Sequence, residues 1–151
     1  MEGEDPAEVV VDASVVAKWF IAEKGREKAV KLRDDYVDGK VRLHAPALMP
    51  FEVLNAVRFS RRDVKADVLK AVAESLALYG IQLHQLSGRY AELVVEVALE
   101  NGITIYDASY VALAKYLGAV LYTADQKLIE SLNSEYRVLV KSIGEYGETL
   151  G

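Results

Sequence analysis

Four acidic side chains stand apart from every basic residue near them in the chain. Asp12 is the one charged residue between Glu8 and Lys18, and Glu52 the one between Arg42 and Arg58. Asp107 is alone between Glu100 and Lys115, and Asp125 between Lys115 and Lys127. A carboxylate among apolar neighbours is costly unless it is paired, hydrogen-bonded or bound to a metal. If the four meet at ~5 Å separations, each like-charge pair costs roughly 3 kcal/mol at an effective dielectric near 20. Summed over the pairs, that exceeds the net stability of a domain, about 5–15 kcal/mol. Such a cluster must take up protons or cations. Carboxylate ligands without a neighbouring His or Cys select hard divalent ions, so one or two Mg²⁺ or Mn²⁺ are expected.

A plainer role competes. Asp12, Asp107 and Asp125 also stand where an N-cap aspartate belongs, worth about 1 kcal/mol each. Capping does not account for Glu52, which falls within a helical stretch, nor for the lack of a base beside all four. Smaller groups fall around them. Ser14 is two residues after Asp12 and Thr123 two before Asp125; either hydroxyl can bind a metal water or a phosphate oxygen. Asn55, one helical turn from Glu52, can orient a ligand carboxylate. Lys18, Arg58, Arg61, Arg62 and Lys65 are candidates for phosphate contacts. His44 and His84 lie in short strands without partner spacing and read as structural. Tyr106 and Tyr110 flank Asp107 and read as core.

The elements that must bring the acids together follow from the pattern. Val9-Val-Val11 is a run of β-branched residues suited to a strand buried on both faces. Ser14 begins a short helix, and the charge-dense segment from Glu23 to Asp38 is a solvent-facing helix ending at Gly39. A strand over Val41–Ala45 is stopped by Pro46. Helices are expected from Ala47 to about Arg61 and from Asp63 or Lys65 to Tyr79, the latter closed by Gly80. Ile81–Leu86 alternates as a third strand. Ser87 caps a largely buried helix to Asn101, and Asp107–Leu117 forms the next. Ala119–Thr123 is strand four, Gln126–Leu132 a short helix and Tyr136–Val140 strand five. Strands and helices in this rhythm define an α/β fold with a mostly parallel sheet and helices on both faces. Asp12 and Asp125 directly follow strands, and so fall at the carboxyl edge of that sheet.

The totals agree with one domain. The chain has 151 residues, 52% hydrophobic and 27% charged, a globular composition. Residues 1–7 and 146–151 are expected to be flexible tails around a domain spanning 8–145. A net charge of −5 argues against bulk polyanion binding and leaves nucleic-acid contacts to a local basic patch or to metal ions. There is no cysteine, which excludes disulfides and thiol chemistry. With no membrane-length apolar run and no apolar leader, a cytoplasmic protein is expected.

The segments Val-Val-Val-Asp12-Ala-Ser14, Phe-Glu52-Val-Leu-Asn55-Ala, Tyr-Asp107-Ala-Ser-Tyr-Val-Ala-Leu-Ala and Tyr-Thr123-Ala-Asp125-Gln-Lys-Leu resemble, in order and spacing, the PIN-domain nucleases. Within that family the VapC-type toxins of prokaryotic toxin–antitoxin pairs are the nearest subgroup. The resemblance runs from about Val9 to Val140. It implies a five-stranded sheet in the order 3-2-1-4-5 and a homodimer. It also implies Mg²⁺- or Mn²⁺-dependent cleavage of RNA and inhibition by a partner antitoxin. Asp12, Glu52, Asp107 and Asp125 are then the catalytic and metal-binding residues, with water as nucleophile and 5′-phosphate and 3′-hydroxyl products. Haloacid-dehalogenase-type phosphatases need a second Asp where Ser14 stands, and receiver domains need adjacent acids near the first strand; neither pattern is present. The alternative from another class is a non-catalytic dimeric α/β interaction module whose acidic pocket receives a protein partner.

Overall fold

A computed structural model of the protein describes residues 5–148. Its centre is a sheet of five strands, all pairings parallel, in the order β3-β2-β1-β4-β5. β1 (Ala7–Val11) occupies the middle because its three valines have no polar edge to offer solvent; all three are buried. β2 (Val41–Pro46) and then β3 (Gln82–His84) extend the sheet on one side, and β4 (Val120–Thr123) and β5 (Val140–Ser142) on the other. The chain therefore reverses direction across the sheet between β1 and β4. In open α/β sheets the crevice outside the strand ends at such a reversal is where ligands bind. Asp12 follows β1 at that point, and Thr123 and Asp125 mark the end of β4.

The helices form two further layers. α1 (Ala13–Ala17) leaves β1 immediately, and α2 (Arg26–Val37) is anchored to it by the Trp19 indole, which donates 2.9 Å to the Ala29 carbonyl. α3 (Met49–Arg58) packs on α1, and α4 (Ala66–Tyr79) packs on α3. α5 (Gly88–Asn101) lies outside α6 (Ile105–Leu117), which covers β1, β2 and β4 directly. Seven consecutive residues of α6, Ala108–Ala114, are buried, which explains why Tyr-Val-Ala-Leu-Ala has no polar stripe. Short α7 (Gln126–Ser131) and α8 (Ser134–Arg137) lead into β5. Gly80 and Gly118 end α4 and α6 at φ +64° and +65°, a left-handed conformation that a Cβ disfavours.

Several local boundaries differ from the sequence pattern, each for a physical reason. Strand five begins at Val140 rather than Tyr136, because Asn133 caps a helical turn there by accepting the Tyr136 N–H at 3.3 Å. Val138, the apparent strand residue, is exposed. Pro46 ends β2 from inside it, since a strand's last residue can spare its N–H. α3 stops at Arg58, short of Arg61. α5 is half-buried, with Val95 and Leu99 facing outward. α6 starts at Ile105, two residues before Asp107, under a Thr104 cap. The packed body is also slightly wider than 8–145. Ala7 is in β1, and Tyr146 is buried with its hydroxyl donating 2.5 Å to Asp35. Of the expected tails, residues 1–4 and 149–151 lie outside the described residues. Among the described residues no helix is long and apolar enough to cross a membrane.

Candidate metal and active site

Asp12 sits at the reversal point, and its environment explains its isolation in sequence. One oxygen, Oδ2, accepts the Ser14 hydroxyl at 2.7 Å and the Thr123 hydroxyl at 2.7 Å. Those hydroxyls are fixed in turn: Ser14 Oγ accepts the Ala124 N–H at 3.0 Å, and Thr123 Oγ1 accepts the Asp125 N–H at 3.0 Å. The loops after β1 and β4 are thus tied together through the small polar residues singled out beside the acids. Burial pushes the Asp12 carboxyl above the usual carboxylate range; the two hydroxyl bonds oppose this, while Asp107 and Asp125 add to it.

The other acids lie near enough to act on it, or on one another, electrostatically. Glu52, on α3, is raised first by burial and then by Asp12 and Asp107, against a lowering bond from Tyr110. Asp107, on α6, is raised by burial and by Asp125, with the Thr104 bond opposing. Five of the six pairings among the four therefore carry mutual repulsion. Among the described residues no basic side chain is paired with any of the four. Capping accounts for one of them alone. Asp125 Oδ1 accepts the Leu128 N–H at 3.2 Å. Asp12 is at the N-cap of α1 but makes no side-chain cap bond. Asp107 is not the cap of α6: Thr104 is, its Oγ1 accepting the Asp107 N–H at 3.1 Å.

Tyr110 is the residue that sequence reasoning missed. Its ring is core, as its neighbours suggested, but its hydroxyl donates 2.5 Å to Glu52 Oε1. Tyr110 lies three residues after Asp107 and so on the same helical face, which was the available signal. Asn55, expected to orient Glu52, is exposed and makes no side-chain hydrogen bond among the described residues; it lines a groove with Phe51, Arg58 and Leu69 instead. Lys18 is committed locally, its Nζ 3.1 Å from Glu23 Oε1 and 2.7 Å from the Lys24 carbonyl. A cleft of 670 Å³ opens from Ser14 and Asp125 past Lys18 to Ser60. Arg58, Arg61 and Arg62 are exposed but do not line that cleft; Arg58 lies in the groove with Asn55, stacked 4.9 Å over the Phe59 ring.

The donor set fits a hard divalent cation. It consists of carboxylates and hydroxyls without His or Cys, and Asp12 has no counter-charge although burial penalises its ionised form. As the side chains stand, no three His, Asp or Glu side chains among the described residues converge at ligating distance. Shared ligation therefore calls for rotamer adjustment of the outer acids, Glu52, Asp107 and Asp125.

Fold and site together define an open α/β domain with acids gathered at the reversal of its sheet. The sequence profile of the PIN domain matches residues 9–131, and the chain belongs to that family. Ribonuclease VapC3 of Pyrobaculum aerophilum is 33% identical over 129 residues, 81% of this chain and 92% of the relative. Among solved structures, a chain of FitAB bound to an IR36 DNA fragment matches with TM-score 0.66 at 20% identity, over 95% of this chain and 99% of that one. VapBC-5 of Mycobacterium tuberculosis, a member of the VapBC family of toxin–antitoxin systems, matches with TM-score 0.55 at 18% identity, over 91% and 98%. The sheet order read from the resemblance, 3-2-1-4-5, is the one observed.

Proposed function

We propose that the protein is a Mg²⁺- or Mn²⁺-dependent endoribonuclease and the toxin of a type II toxin–antitoxin pair. The observation that carries this reading is the set of five mutual repulsions among Asp12, Glu52, Asp107 and Asp125 with no cationic side chain to relieve them. Asp12 and Asp107 are the primary ligands, Glu52 a ligand or water-positioning base, and Asp125 the ligand of a second, more weakly held ion. When bound, the ion or ions lower the cost of negative charge at the phosphate and activate water. The protein's own groups do the rest. Ser14 and Thr123 both hold Asp12 by Oδ2, leaving Oδ1 without a side-chain hydrogen bond among the described residues. Tyr110 fixes Glu52 by Oε1, so that Oε2 can accept a proton from the attacking water. Displacement at phosphorus then breaks the bond to the 3′ oxygen, giving a 5′-phosphate and a 3′-hydroxyl. Arg58, Arg61 and Arg62, at and just beyond the end of α3, are exposed and offer phosphate contacts; Lys18 does so only by giving up its bonds to Glu23 and Lys24.

The name of the Pyrobaculum relative supports a ribonuclease, and the toxin–antitoxin membership of the Mycobacterium structure supports an antitoxin partner. Exposed Phe51 on α3, Phe59 at its end and Leu78 on α4 offer apolar area for a homodimer. A cytoplasmic location and a single domain, packed from Ala7 to Tyr146, complete the reading. The test is incubation of the purified chain with RNA and either Mn²⁺ or EDTA. Internal cleavage with 5′-phosphate ends in Mn²⁺ alone is expected; no cleavage in either would favour the interaction-module alternative. Tyr110→Phe probes the positioning of Glu52. A hydrogen bond to a charged group is worth about 1.5–3 kcal/mol, so kcat is expected to fall roughly 10–100-fold. The melting midpoint should hardly move, because the ring stays in place. An unchanged kcat would remove Glu52 from the mechanism.

A further inference from the structure

Tyr106 departs from the rest of its helix. The sequence places it in the core, and Ala108–Ala114 behind it are buried, yet Tyr106 is 64% exposed. Its backbone is fixed, the carbonyl accepting the Ser109 hydroxyl at 2.6 Å. Its side chain has no such anchor: among the described residues the hydroxyl makes no hydrogen bond, and the ring pairs with no other ring or cation. A lone exposed apolar side chain is ordinary, but the position of this one is not. It directly precedes Asp107 and stands one turn, about 5.4 Å, before buried Tyr110, whose hydroxyl bonds Glu52. At about 100° per residue, Tyr106 and Asp107 project roughly 40° and 60° to either side of Tyr110. The exposed ring therefore stands at the rim of the site that Asp107 and Glu52 share.

The charge around the site indicates what such a ring is for. Affinity for nucleic acid ordinarily comes from cations on phosphates. This chain carries a net charge of −5. Among the described residues Lys18 is the one base lining the cleft, and it is bonded to Glu23 and the Lys24 carbonyl. Holding a strand here calls for a contact indifferent to charge, and stacking of a base on an aromatic face is one. We propose that Tyr106 is the stacking platform for an unpaired nucleobase next to the scissile phosphate, and so fixes which bond of the strand meets the acids. A flat ring takes any base, so it sets register rather than sequence. Phe51, the other exposed aromatic that directly precedes a site acid, lines the groove with Leu69 of α4 instead. The role deepens the nuclease reading and rests on it.

The experiment follows cleavage by the full chain, in Mn²⁺, of a short unpaired RNA and of the same RNA with each base removed in turn. Tyr106→Ala is expected to raise KM about 5–150-fold with kcat nearly unchanged, as loss of a contact made equally in ground and transition states does. Its cuts should also spread over neighbouring bonds. Tyr106→Phe keeps the ring and should behave as the native chain. Tyr106→Leu keeps apolar area without a flat face and should behave as Tyr106→Ala. All three should melt with the native chain, because the side chain is exposed. One missing base should cost the native chain the same factor and cost Tyr106→Ala nothing further. An unchanged KM in Tyr106→Ala, or missing bases that cost both chains alike at every position, would overturn the proposal and leave the ring to a protein partner. Binding of the same RNA to Asp12→Asn, with and without Tyr106→Ala, separates this role from the nuclease reading. Tyr106-dependent binding without any cleavage by the native chain would sink the nuclease reading and keep the stacking contact; cleavage indifferent to Tyr106 would do the reverse. RNA neither bound nor cleaved would end both.

Discussion

Replacing Asp12 by Asn is expected to abolish Mn²⁺-dependent RNA cleavage while raising the melting midpoint of the metal-free protein. The two effects separate because the substitution changes charge and almost nothing else. The amide oxygen can take the place of Oδ2 and still accept the Ser14 and Thr123 hydroxyls, so the tie between the loops after β1 and β4 survives. The negative charge that Asp107 and Asp125 oppose is lost, and with it the anionic character of Oδ1. Removing one preorganised electrostatic group from an active site costs about 10²–10³-fold in kcat. A primary ligand should cost at least that. In a chain of this size each 1 kcal/mol of relieved repulsion adds roughly 2–4 °C to the midpoint. Asp107→Asn should act in the same two directions, since its N–H bond to Thr104 is a backbone contact that the substitution leaves alone. Glu130→Gln, in an exposed part of α7 away from the cluster, is the control and should change neither quantity. Full activity in either Asn variant would remove the mechanism. Lost activity with a lowered midpoint would mean that the acids serve the fold rather than the reaction.

That the acids could be picked out of the sequence at all reflects how burial constrains charge. Asp12 and Glu52 are conspicuous because apolar strands and helices surround them, and the same burial raises their carboxyls in the folded chain. The sheet order was legible through the family resemblance and the strand rhythm, since Val9–Val11 has no polar face and must be central. What was not legible depends on contacts between distant segments. The Tyr110 hydroxyl reaches Glu52 across 58 positions, and a buried tyrosine on an apolar helix looks the same with or without that bond. The contact of His44 with His84, Nδ1 to Nε2 at 2.9 Å, is invisible for the same reason: strand spacing predicts no partner, and only the β2–β3 register creates one. Local capping misled in both directions. Asp107 stands where an N-cap aspartate would, but Thr104, three residues earlier, is the true cap. Tyr136–Val140 has the residues of a strand, yet Asn133 caps a helical turn there and delays β5 to Val140.

Without metal, the protein is expected to lose stability as pH rises from the ordinary carboxylate range toward neutrality, and Mn²⁺ should reverse that trend. Asp12, Glu52 and Asp107 all titrate above their ordinary values in the folded chain, burial being the first cause for each. Between the unfolded and folded values the native state binds more protons than the unfolded one. Stability therefore falls with rising pH across that window, and it is fully present only below it. Asp35 works the other way. Burial opposes its ionisation, but bonds from Tyr146 and Lys31 outweigh it and leave its carboxyl lowered. Its contribution is present above the unfolded value and fades as pH falls. Melts in EDTA across this range should show a descending limb toward neutral pH that Asp12→Asn flattens and Asp35→Asn does not. Divalent ions bind the deprotonated carboxylates, so their stabilisation grows as that limb falls. At a Mn²⁺ concentration 100 times Kd the gain is about 2.7 kcal/mol, roughly 5–10 °C for a chain of this length. A midpoint that ignores Mn²⁺ at every pH, or one that Mn²⁺ raises equally in Asp12→Asn, would place the ion elsewhere than among these carboxylates. The repulsion at the sheet reversal would then need a protein cation from outside the chain, such as the arginine of a bound partner.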